Sequence, residues 1–422
     1  MRAVVVALGK IGLPLAVQLA RSGHEVLGCD IDAEVVATVA SGRAPFPGEE
    51  GLAQPLEEAV AAGRLRASTD TAAAVGAGPD LVLMVPPLVV DAHNLPDWGP
   101  LDAVCTAVGA GLQPGTTVAL ETTVPVGTTR QRVVPALERA SGLTAGRDFH
   151  VVFSPERVSS GRVLRDLATY PKLVGGLDPA GEARGAELYA AFLDAEVRPL
   201  GSAETAELAK LAETTYRDVN IALANEFARH ADQLGVDVAT VIDAANSQPY
   251  SHIHRPGVAV GGHCIPVYPR FYLAGHPAAM LPAMGRVVNE QMPWYAADLL
   301  GEALGGLDGA RVALLGIAYR GGVKETAFSG ARALAGALEA AGAQVVASDP
   351  LYSPAEVEAE GFAPWDGMSP VDGAVVQADH AEYAVLTPAD LPGVRAVVDG
   401  RWVLDPERFR AAGVTIRRIG RP

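Results

Sequence analysis

The chain has 422 residues, 49% of them hydrophobic, which is enough apolar sequence to bury more than one core in two or three domains. Its 49 acidic residues outnumber its 33 basic ones, and the formal net charge of −16 opposes non-specific binding to nucleic acid or to an anionic membrane. The three cysteines lie too far apart for a disulfide framework or a CxxC metal site, so we predict no metal and a reducing, cytoplasmic location.

The amino-terminal segment places a basic residue before an apolar run, as a secretory signal peptide does. Lys10 interrupts this run, and no small-residue cleavage site follows it. No uninterrupted apolar span reaches the ~18 residues that a membrane-spanning helix needs. We therefore predict neither secretion nor insertion into a membrane.

The first elements form a strand, turn, helix and strand: "RAVVVAL", a glycine turn, "GLPLAVQLARSG" and "EVLGCDID". In the turn, Gly9 lets the backbone approach a pyrophosphate at the helix N-terminus, and Gly12 lets the helix pack closely on the strand. Asp30 ends the second strand, where it can accept hydrogen bonds from the adenosine ribose. Ala7 replaces the first glycine of the usual fingerprint. This context predicts a dinucleotide site, and the acid at position 30 favours NAD over NADP.

Further strands alternate with helices, and they predict an α/β fold. The strands "DLVLMVP", "TTVALETTV", "FHVVFSP" and "KLVGG" are consistent with a parallel sheet whose carboxyl-end loops carry the site. After the Gly-rich "LGGLDGA" the pattern restarts with the strands "ARVALLGIAYRGG", "AQVVASDP", "YAVLTP" and "VRAVVDGRWVL" and the helix "ARALAGALEAAG". We predict two Rossmann-like, doubly wound domains joined by a long helix and a helical dimerisation region.

A long helix is predicted between the two α/β halves, from about Ala203 to Leu234, because Ala, Leu and Glu are dense there and no Pro or Gly interrupts them. A helix of this length joining two sheet domains is a natural backbone for a homodimer. The predicted domains are 1–200 for NAD binding, 201–304 for dimerisation and the catalytic cysteine, and 305–422 for the nucleotide sugar.

The stretch "GGHCIPVYPRF" is arranged as though to expose one thiol. Gly261 and Gly262 permit close approach of a ligand, and His263 is adjacent to Cys264. A helix beginning at Pro266 would favour the thiolate form. The plain alternative is a small, buried cysteine. Beside an NAD domain, a nucleophilic thiol predicts oxidation at the aldehyde level, in which a thiohemiacetal surrenders hydride and the resulting thioester is hydrolysed.

Several motifs, in order and at matching spacing, resemble the nucleotide-sugar 6-dehydrogenase family, also called the UDP-glucose/GDP-mannose dehydrogenase family. They are "GKIGLPLA", "GCDID", "ETTVPVGTT", "FSPERV", "AELAKLAETTYRDVNIALANE", "VGGHCIPVYP" and "GIAYR". The UDP-N-acetylmannosamine and UDP-N-acetylglucosamine 6-dehydrogenases are the most similar branch. The resemblance implies NAD-dependent, four-electron oxidation of a sugar CH2OH to a carboxylate. It also implies a nucleotide-sugar substrate, with UDP as the expected nucleotide, and a place in polysaccharide or specialised-metabolite biosynthesis.

The resemblance also assigns roles to single residues. Cys264 would be the nucleophile, and Lys210, with Thr214 one turn on, would stabilise the oxyanion or relay a proton. Glu156 and Thr123 would position the water that hydrolyses the thioester. The implied cofactor contacts are Gly9, Lys10, Ile11, Gly12, Asp30, Pro87, Thr123 and Arg401, and the implied substrate contacts are Arg157, Val158, Lys210, Thr214, Arg217, Tyr250, Tyr268 and Arg320.

Several positions depart from the family pattern. Tyr268 stands in place of an aspartate, Thr214 of an asparagine, Tyr250 of an arginine, Pro87 of a threonine, Arg320 of a lysine, and Ala327-Phe328 of an Arg-Glu pair. A phenol can donate a hydrogen bond but is a poor base, so Tyr268 does not replace a carboxylate that activates water.

Alternatives to full oxidation stay open at this point. The altered residues could leave a two-electron or redirected product, or a non-redox nucleotide-sugar binding protein. The number of NADH molecules released per sugar separates these cases. A 2- or 3-hydroxyacid dehydrogenase shares the architecture by analogy, but it needs neither a nucleophilic cysteine nor a second α/β domain.

Overall fold

The computed structural model describes residues 1–91, 93–158 and 161–421. Within these ranges, no helix is both long enough and apolar enough to span a bilayer. The predicted α/β class is confirmed, because two sheets built mainly from parallel strands account for nearly every strand in the described residues.

The described residues fall into two compact units. The first comprises 1–213 with 270–275, and the second comprises 214–269 with 276–422. Each unit has its own sheet and its own hydrophobic core. The division into three domains stays a prediction.

The described residues of the first unit form an eight-stranded sheet with the order β3-β2-β1-β4-β5-β6-β7-β8. The strands are β1 Arg2–Val6, β2 Glu25–Cys29, β3 Leu65–Ser68, β4 Leu81–Met84, β5 Thr117–Leu120, β6 His150–Phe153, β7 Lys172–Gly176 and β8 Val197–Pro199. The central strands β4 and β5 are buried throughout and apolar apart from Thr117, as expected when helices cover both faces of a sheet.

The direction of β7 differs from the prediction. β7 runs antiparallel to β6, with Phe153 opposite Gly175, and β8 then continues parallel to β7. The apolar run "KLVGG" identified a strand but carried no information about its direction, which depends on the path of the preceding connection. As a consequence, β7 begins at the edge of the sheet where β1, β4, β5 and β6 end.

The helices of the first unit cover this sheet. They are α1 Gly12–Arg21, α2 Ala33–Ala40, α3 Ala53–Ala61, α4 Thr71–Gly76, α5 Gly99–Gly111, α6 Val134–Ser141, α7 Val163–Thr169 and α8 Pro179–Ala190, with a π-helical turn at Thr129–Val133. The long predicted helix is confirmed as α9, Ala203–Leu234.

The described residues of the second unit contain a five-stranded parallel sheet with the order β10-β9-β11-β12-β13. The strands are β9 Arg311–Leu315, β10 Gln344–Ser348, β11 Gly373–Val376, β12 Ala396–Asp399 and β13 Thr415–Arg418. The helices after α9 are α10 Val238–Ala245, α11 Tyr268–Gly275, α12 Met280–Leu304, α13 Ala331–Ala340, α14 Pro354–Ala359 and α15 Pro406–Ala411.

One predicted strand of the second unit is wrong. The stretch "YAVLTP" lies partly in a 3-10 helix, Ala381–Val385, and does not join the sheet. Tyr383 is buried and Leu386 packs against the same core, whereas the two residues between them are exposed. Burial that recurs every third residue matches the 3-10 repeat and not the two-residue repeat of a strand.

Candidate active site

The turn after β1 has the shape of a dinucleotide-binding loop. Ala7 adopts a left-handed conformation, with φ of 75°, at the position where the usual fingerprint has glycine. A Cβ on Gly12 would lie 1.9 Å from the carbonyl oxygen of Ala7, so α1 can approach this strand only with glycine there. A Cβ on Gly9 would meet nothing within 4 Å, which leaves the backbone of the loop open to a ligand.

Asp30 lies directly after β2 and helps to hold the loop in place. Its Oδ2 accepts a hydrogen bond from the backbone N–H of Leu8 at 2.8 Å, and its Oδ1 accepts from the N–H of Asp32 at 3.0 Å. A carboxylate has about four acceptor positions, so these bonds leave capacity for ribose hydroxyls. Together with the open backbone at Gly9, this arrangement fits NAD.

A buried cluster of charges lies at the same edge of the first sheet. Glu121 follows β5, Glu156 lies three residues after β6, and Lys172 begins β7. The Nζ of Lys172 donates to Glu121 Oε2 at 2.5 Å and to Glu156 Oε2 at 3.2 Å. The hydroxyl of Tyr189, on α8, donates to Glu121 Oε1. One buried ammonium group is therefore in direct contact with two carboxylates.

Desolvation governs the protonation of this cluster. Burial raises the pKa of Glu121 to about 7, although the charge of Lys172 lowers it in part. Burial alone would lower the pKa of Lys172, but the charges of Glu121 and Glu156 outweigh burial and raise it. Burial and the charge of Glu121 raise the pKa of Tyr189, which therefore remains a hydrogen-bond donor.

Glu156 is held at both of its oxygens, since its Oε1 accepts from the backbone N–H of Arg157 at 2.7 Å. A small cavity of about 10 Å³, roughly the space of one water molecule, lies beside it and is lined in part by Glu156, Arg157, Val158 and Lys172. The guanidinium of Arg157 donates to Glu213 at 2.8 Å. Three sequence-predicted residues thus share one cavity with a lysine that was not predicted.

The other predicted residues of the first unit lie on the same sheet edge or on α9. Thr123 is buried in the loop after β5, and Pro87 is exposed in the loop after β4. Lys210 is buried on α9. Lys10 and Ile11 are half-buried in the turn before α1.

The cysteine loop, residues 261–268, belongs to the second unit. Residues 270–275 of α11, which follow it, belong to the first unit. Cys264 is half-buried, and its carbonyl oxygen accepts from the N–H of Val267 at 3.3 Å and of Tyr268 at 2.9 Å. The helix begins at Tyr268, two residues later than predicted, because residues 265–267 form a turn. Cys29 and Cys105 are buried, and burial raises the pKa of their thiols to about 11 and about 12.

The two glycines before Cys264 serve packing in this structure. A Cβ on Gly261 would lie 2.8 Å from the Cβ of Tyr319, and a Cβ on Gly262, whose φ is 92°, would lie 3.1 Å from the same ring. The prediction that they admit a ligand is therefore not supported by their surroundings. Close packing on the loop after β9 requires their small size.

Aromatic and acidic residues of the second unit surround His263. Its ring is hydrogen-bonded to Glu325 and makes an edge contact with Phe328, the centroids lying 6.2 Å apart. Phe328 has a φ of 50°, a conformation that an aromatic residue rarely adopts. Phe328 thus lies directly beside the cysteine loop.

The remaining predicted residues of the second unit have varied environments. Thr214 is buried and Arg217 is exposed, both on α9. Tyr250 is 92% exposed, and Tyr268 is half-buried. The guanidinium of Arg320 donates to the hydroxyl of Tyr319 at 3.1 Å. Arg401 donates to the carbonyl oxygens of Gln377 and Ala259 at 2.6 and 3.1 Å, so its guanidinium is held by its own unit.

In the second sheet, as in the first, an acid after one strand accepts hydrogen bonds from the loop after the neighbouring strand, but this acid is more deeply buried. Asp349, after β10, accepts from the N–H groups of Ile317 and Ala318 at 2.9 and 3.0 Å, and also from His380 at 3.1 Å. Its side chain is fully buried, whereas Asp30 in the first unit is only half-buried. The second acid is therefore shielded from a ribose, which distinguishes the two Rossmann-like sheets.

Sequence reasoning missed three members of the charged cluster: Glu121, Lys172 and Tyr189. A signal was present, since Lys172 begins an otherwise apolar strand and Glu121 follows one directly. A charged residue next to a buried strand must be paired. The partners, however, lie 16 to 68 positions apart in the chain.

Three family models match consecutive parts of the chain. They describe the NAD binding domain, the central domain and the UDP binding domain of the UDP-glucose/GDP-mannose dehydrogenase family, and they match residues 1–193, 204–287 and 313–408. The NAD prediction is thereby confirmed, and the third match supports a nucleotide-sugar substrate.

Known relatives agree with these matches. The UDP-N-acetyl-D-mannosamine dehydrogenase of Pyrococcus horikoshii is 34% identical over 100% of this chain and 99% of its own length. The NDP-N-acetyl-D-galactosaminuronic acid dehydrogenase of Ralstonia nicotianae is 35% identical over 76% of each chain. The solved structure of UDP-D-ManNAc dehydrogenase from Pyrococcus horikoshii superposes with a TM-score of 0.91 at 33% identity, covering 100% of this chain and 99% of that one. The resemblance inferred from the motifs is confirmed.

Two alanine substitutions separate the two roles of the glycine turn. Gly12→Ala places a Cβ against a backbone oxygen and should lower the free energy of unfolding by about 1–3 kcal/mol. Gly9→Ala enters open space and should leave stability within about 0.5 kcal/mol, yet weaken NADH binding at least about tenfold, because the Cβ occupies the path of the pyrophosphate. Thermal unfolding and titration with NADH measure both effects. Unchanged NADH affinity in Gly9→Ala would contradict this placement of the cofactor.

The raised pKa of Glu121 predicts a pH-dependent stability. Its protonated form is favoured in the folded state, so its contribution is present below the ordinary value of 4.5 and is lost as the pH rises through about 7. Lys172, Tyr189 and Glu156 face this carboxyl group. Relative to Glu121→Gln, the wild type should lose on the order of 2 kcal/mol between pH 5 and 8, measured by denaturant unfolding. A difference that stays constant with pH would refute the assignment.

Proposed function

This chain belongs to the UDP-glucose/GDP-mannose dehydrogenase family, and we propose that it oxidises the C6 hydroxymethyl group of a UDP-linked hexose or N-acetylhexosamine to the uronic acid. The match of its carboxy-terminal part to the UDP binding domain supports the nucleotide. The relatives named for N-acetylmannosamine and N-acetylgalactosaminuronic acid support an acetamido sugar.

The observation that carries the proposal is the exposure of a single thiol. All three cysteines lie in the described residues, and Cys264 alone among them is not buried. Burial holds Cys29 and Cys105 in the neutral form, since it raises the pKa of each thiol far above neutral pH. Cys264 is therefore the cysteine that can meet a substrate carbonyl.

In the proposed reaction, NAD held by the glycine turn and Asp30 would supply the hydride acceptor for each of two oxidations at C6, one NAD for each. After the first oxidation, the thiolate of Cys264 adds to the aldehyde carbon and forms a thiohemiacetal, and the second oxidation converts this adduct into a thioester. Lys210 stabilises the developing oxyanion. Glu156 takes a proton from the water that attacks the thioester, and Thr123 orients that water.

Further residues complete the proposed site. Gly9, Lys10, Ile11, Gly12 and Asp30 hold the dinucleotide, with Pro87 as an additional contact and Arg401 near the cofactor of the neighbouring subunit. Arg157, Val158, Thr214, Arg217, Tyr250, Tyr268 and Arg320 contact the nucleotide sugar. We further propose a reducing cytoplasm as the location, because all three cysteines are free thiols.

We also propose that the protein is a homodimer. In the second unit, α12 exposes Met280, Met284, Val287 and Trp294, which recur at helical spacing along one stripe. The part of α9 in the same unit exposes Tyr216, Leu223, Phe227 and Leu234 in a similar stripe. Apolar stripes of this extent are typical of surfaces that a second copy of the chain covers.

Substrate oxidation is tested by incubating UDP-, GDP- and dTDP-hexoses with NAD and measuring NADH formation and product mass. We expect a UDP-sugar to release two NADH per molecule and to yield the uronic acid. Release of one NADH would indicate a two-electron product, consistent with Tyr268 standing where the family has an aspartate. No NADH with any of these sugars would refute the proposal.

Cys264→Ser should lower the rate of uronic acid formation by at least about 10³-fold, because a serine hydroxyl is not ionised at neutral pH. Cys105→Ala is the matched control: it removes a buried thiol outside the proposed site and should retain turnover. Product formation is followed by mass. If Cys264→Ser oxidises the sugar fully at the wild-type rate, the thioester route is wrong.

Met284→Glu should convert the dimer into a monomer, because it places a charge within the exposed stripe of α12. Met368→Glu is a matched control, since Met368 is 76% exposed outside these stripes. Light scattering coupled to size-exclusion chromatography measures the mass of each variant. A dimeric Met284→Glu protein, or a monomeric wild type, would contradict the assignment of this surface.

A further inference from the structure

Lys172 is an ammonium group almost wholly removed from water. Its side chain is 5% exposed, and its Nζ is bonded to carboxylates on both sides, Glu121 at 2.5 Å and Glu156 at 3.2 Å. Removing an ion from water costs several kcal/mol and is tolerated only with close, opposite charges. The two carboxylates must therefore be considered together with the lysine that joins them.

The antiparallel direction of β7 brings Lys172 into contact with Glu156. Phe153 lies opposite Gly175 in the β6–β7 pair. If the register is continued beyond β6, Glu156 falls opposite Lys172. A parallel β7 would have placed its first residue at the far edge of the sheet, away from Glu156. The position of Lys172 is thus a direct result of strand direction.

The two carboxylates occupy different positions in the cluster. Glu156 and Lys172 both line the cavity of about 10 Å³, which has roughly the space of one water molecule. Glu121 is fully buried, and its two oxygens accept from Tyr189 and Lys172. Glu156 is therefore placed to meet a water molecule, and Glu121 is placed to neutralise the lysine.

We propose that Lys172 is a positioning residue for thioester hydrolysis, which holds the Glu156 carboxylate at the cavity, and that Glu121 is its second counter-ion. This inference rests on the proposed function, in which Glu156 is the base of the hydrolytic step.

Hydrolysis of the thioester changes the charge of Glu156. The water oxygen forms a bond to the thioester carbon, the carbon–sulfur bond breaks, and the electron pair leaves on the Cys264 thiolate. One water proton goes to Glu156, and the other remains on the new carboxylic acid until solvent takes it. No oxidant or reductant takes part in this step.

Neutralising Glu156 removes one of the two charges that pair with Lys172. Without Glu121, the buried ammonium would then be unpaired, and that cost would oppose proton uptake by the base. The charge of Glu156 is one cause of the raised pKa of Glu121, so its neutralisation favours the anionic form of Glu121, which lies 2.5 Å from the lysine and remains its partner. The cluster thereby holds Glu156 in place and lets it change protonation state.

The experiment compares Lys172→Met, the double variant Glu121→Gln with Lys172→Met, and Glu156→Gln. Each is mixed with NAD and the UDP-sugar that the wild type oxidises. We expect a burst of NADH, then turnover about 10²-fold slower than wild type with kcat/KM little changed, and an acyl-enzyme mass on Cys264. The same signature should appear in Glu156→Gln.

The double variant distinguishes positioning from folding. It replaces the buried ion pair with uncharged side chains. We therefore expect Lys172→Met to melt at a lower temperature than the double variant, whose melting temperature should be closer to that of the wild type. We expect it still to accumulate the acyl-enzyme. If the double variant recovers wild-type turnover together with stability, or if turnover falls without any burst or acyl-enzyme, Lys172 is only structural and the inference is wrong.

Failure of this inference differs from failure of the proposed function. If Glu156→Gln accumulates the acyl-enzyme but both lysine variants do not, only the role of Lys172 is lost. If the wild type oxidises no nucleotide sugar, and Glu156→Gln forms no covalent adduct, the proposed function fails and the inference fails with it.

Discussion

The carboxyl ends of parallel strands share one edge of a sheet, and this constraint organises the first unit. The glycine turn follows β1, Asp30 follows β2, Thr123 follows β5 and Glu156 follows β6, so residues from distant parts of the sequence meet at one edge. The antiparallel β7 brings Lys172 to the same edge from the opposite direction. Chemistry is concentrated there because the central strands themselves are buried and almost wholly apolar.

Burial then determines what these residues can do. In a low-dielectric interior, an ammonium and two carboxylates are stable only in contact, and their protonation depends on one another. The raised pKa of Glu121 and the hydrogen bond from Tyr189 both follow from desolvation. The same effect separates the cysteines, because burial keeps the thiols of Cys29 and Cys105 neutral, whereas Cys264 is only half-buried.

The second unit illustrates how a familiar sequence pattern can have more than one physical cause. Gly261 and Gly262 are required because Tyr319 lies so close to them. The carboxylate of Asp349, after β10, accepts its hydrogen bonds from the loop after β9 and from His380. Phe328 has a left-handed backbone conformation beside the cysteine loop, and Tyr250 is exposed. The contact of Tyr250 with the nucleotide sugar stays a prediction.

The amino-acid sequence by itself determined the local elements: the glycine turn, the apolar strands, the uninterrupted helix α9 and the motifs that identify the family. These depend on neighbouring residues, so composition and spacing reveal them. Only the tertiary structure decided the direction of β7, the 3-10 helix within "YAVLTP" and the pairing of Lys172 with Glu121 and Glu156. Such pairings join residues far apart in the chain, and their energy arises from shared burial, which no local pattern encodes.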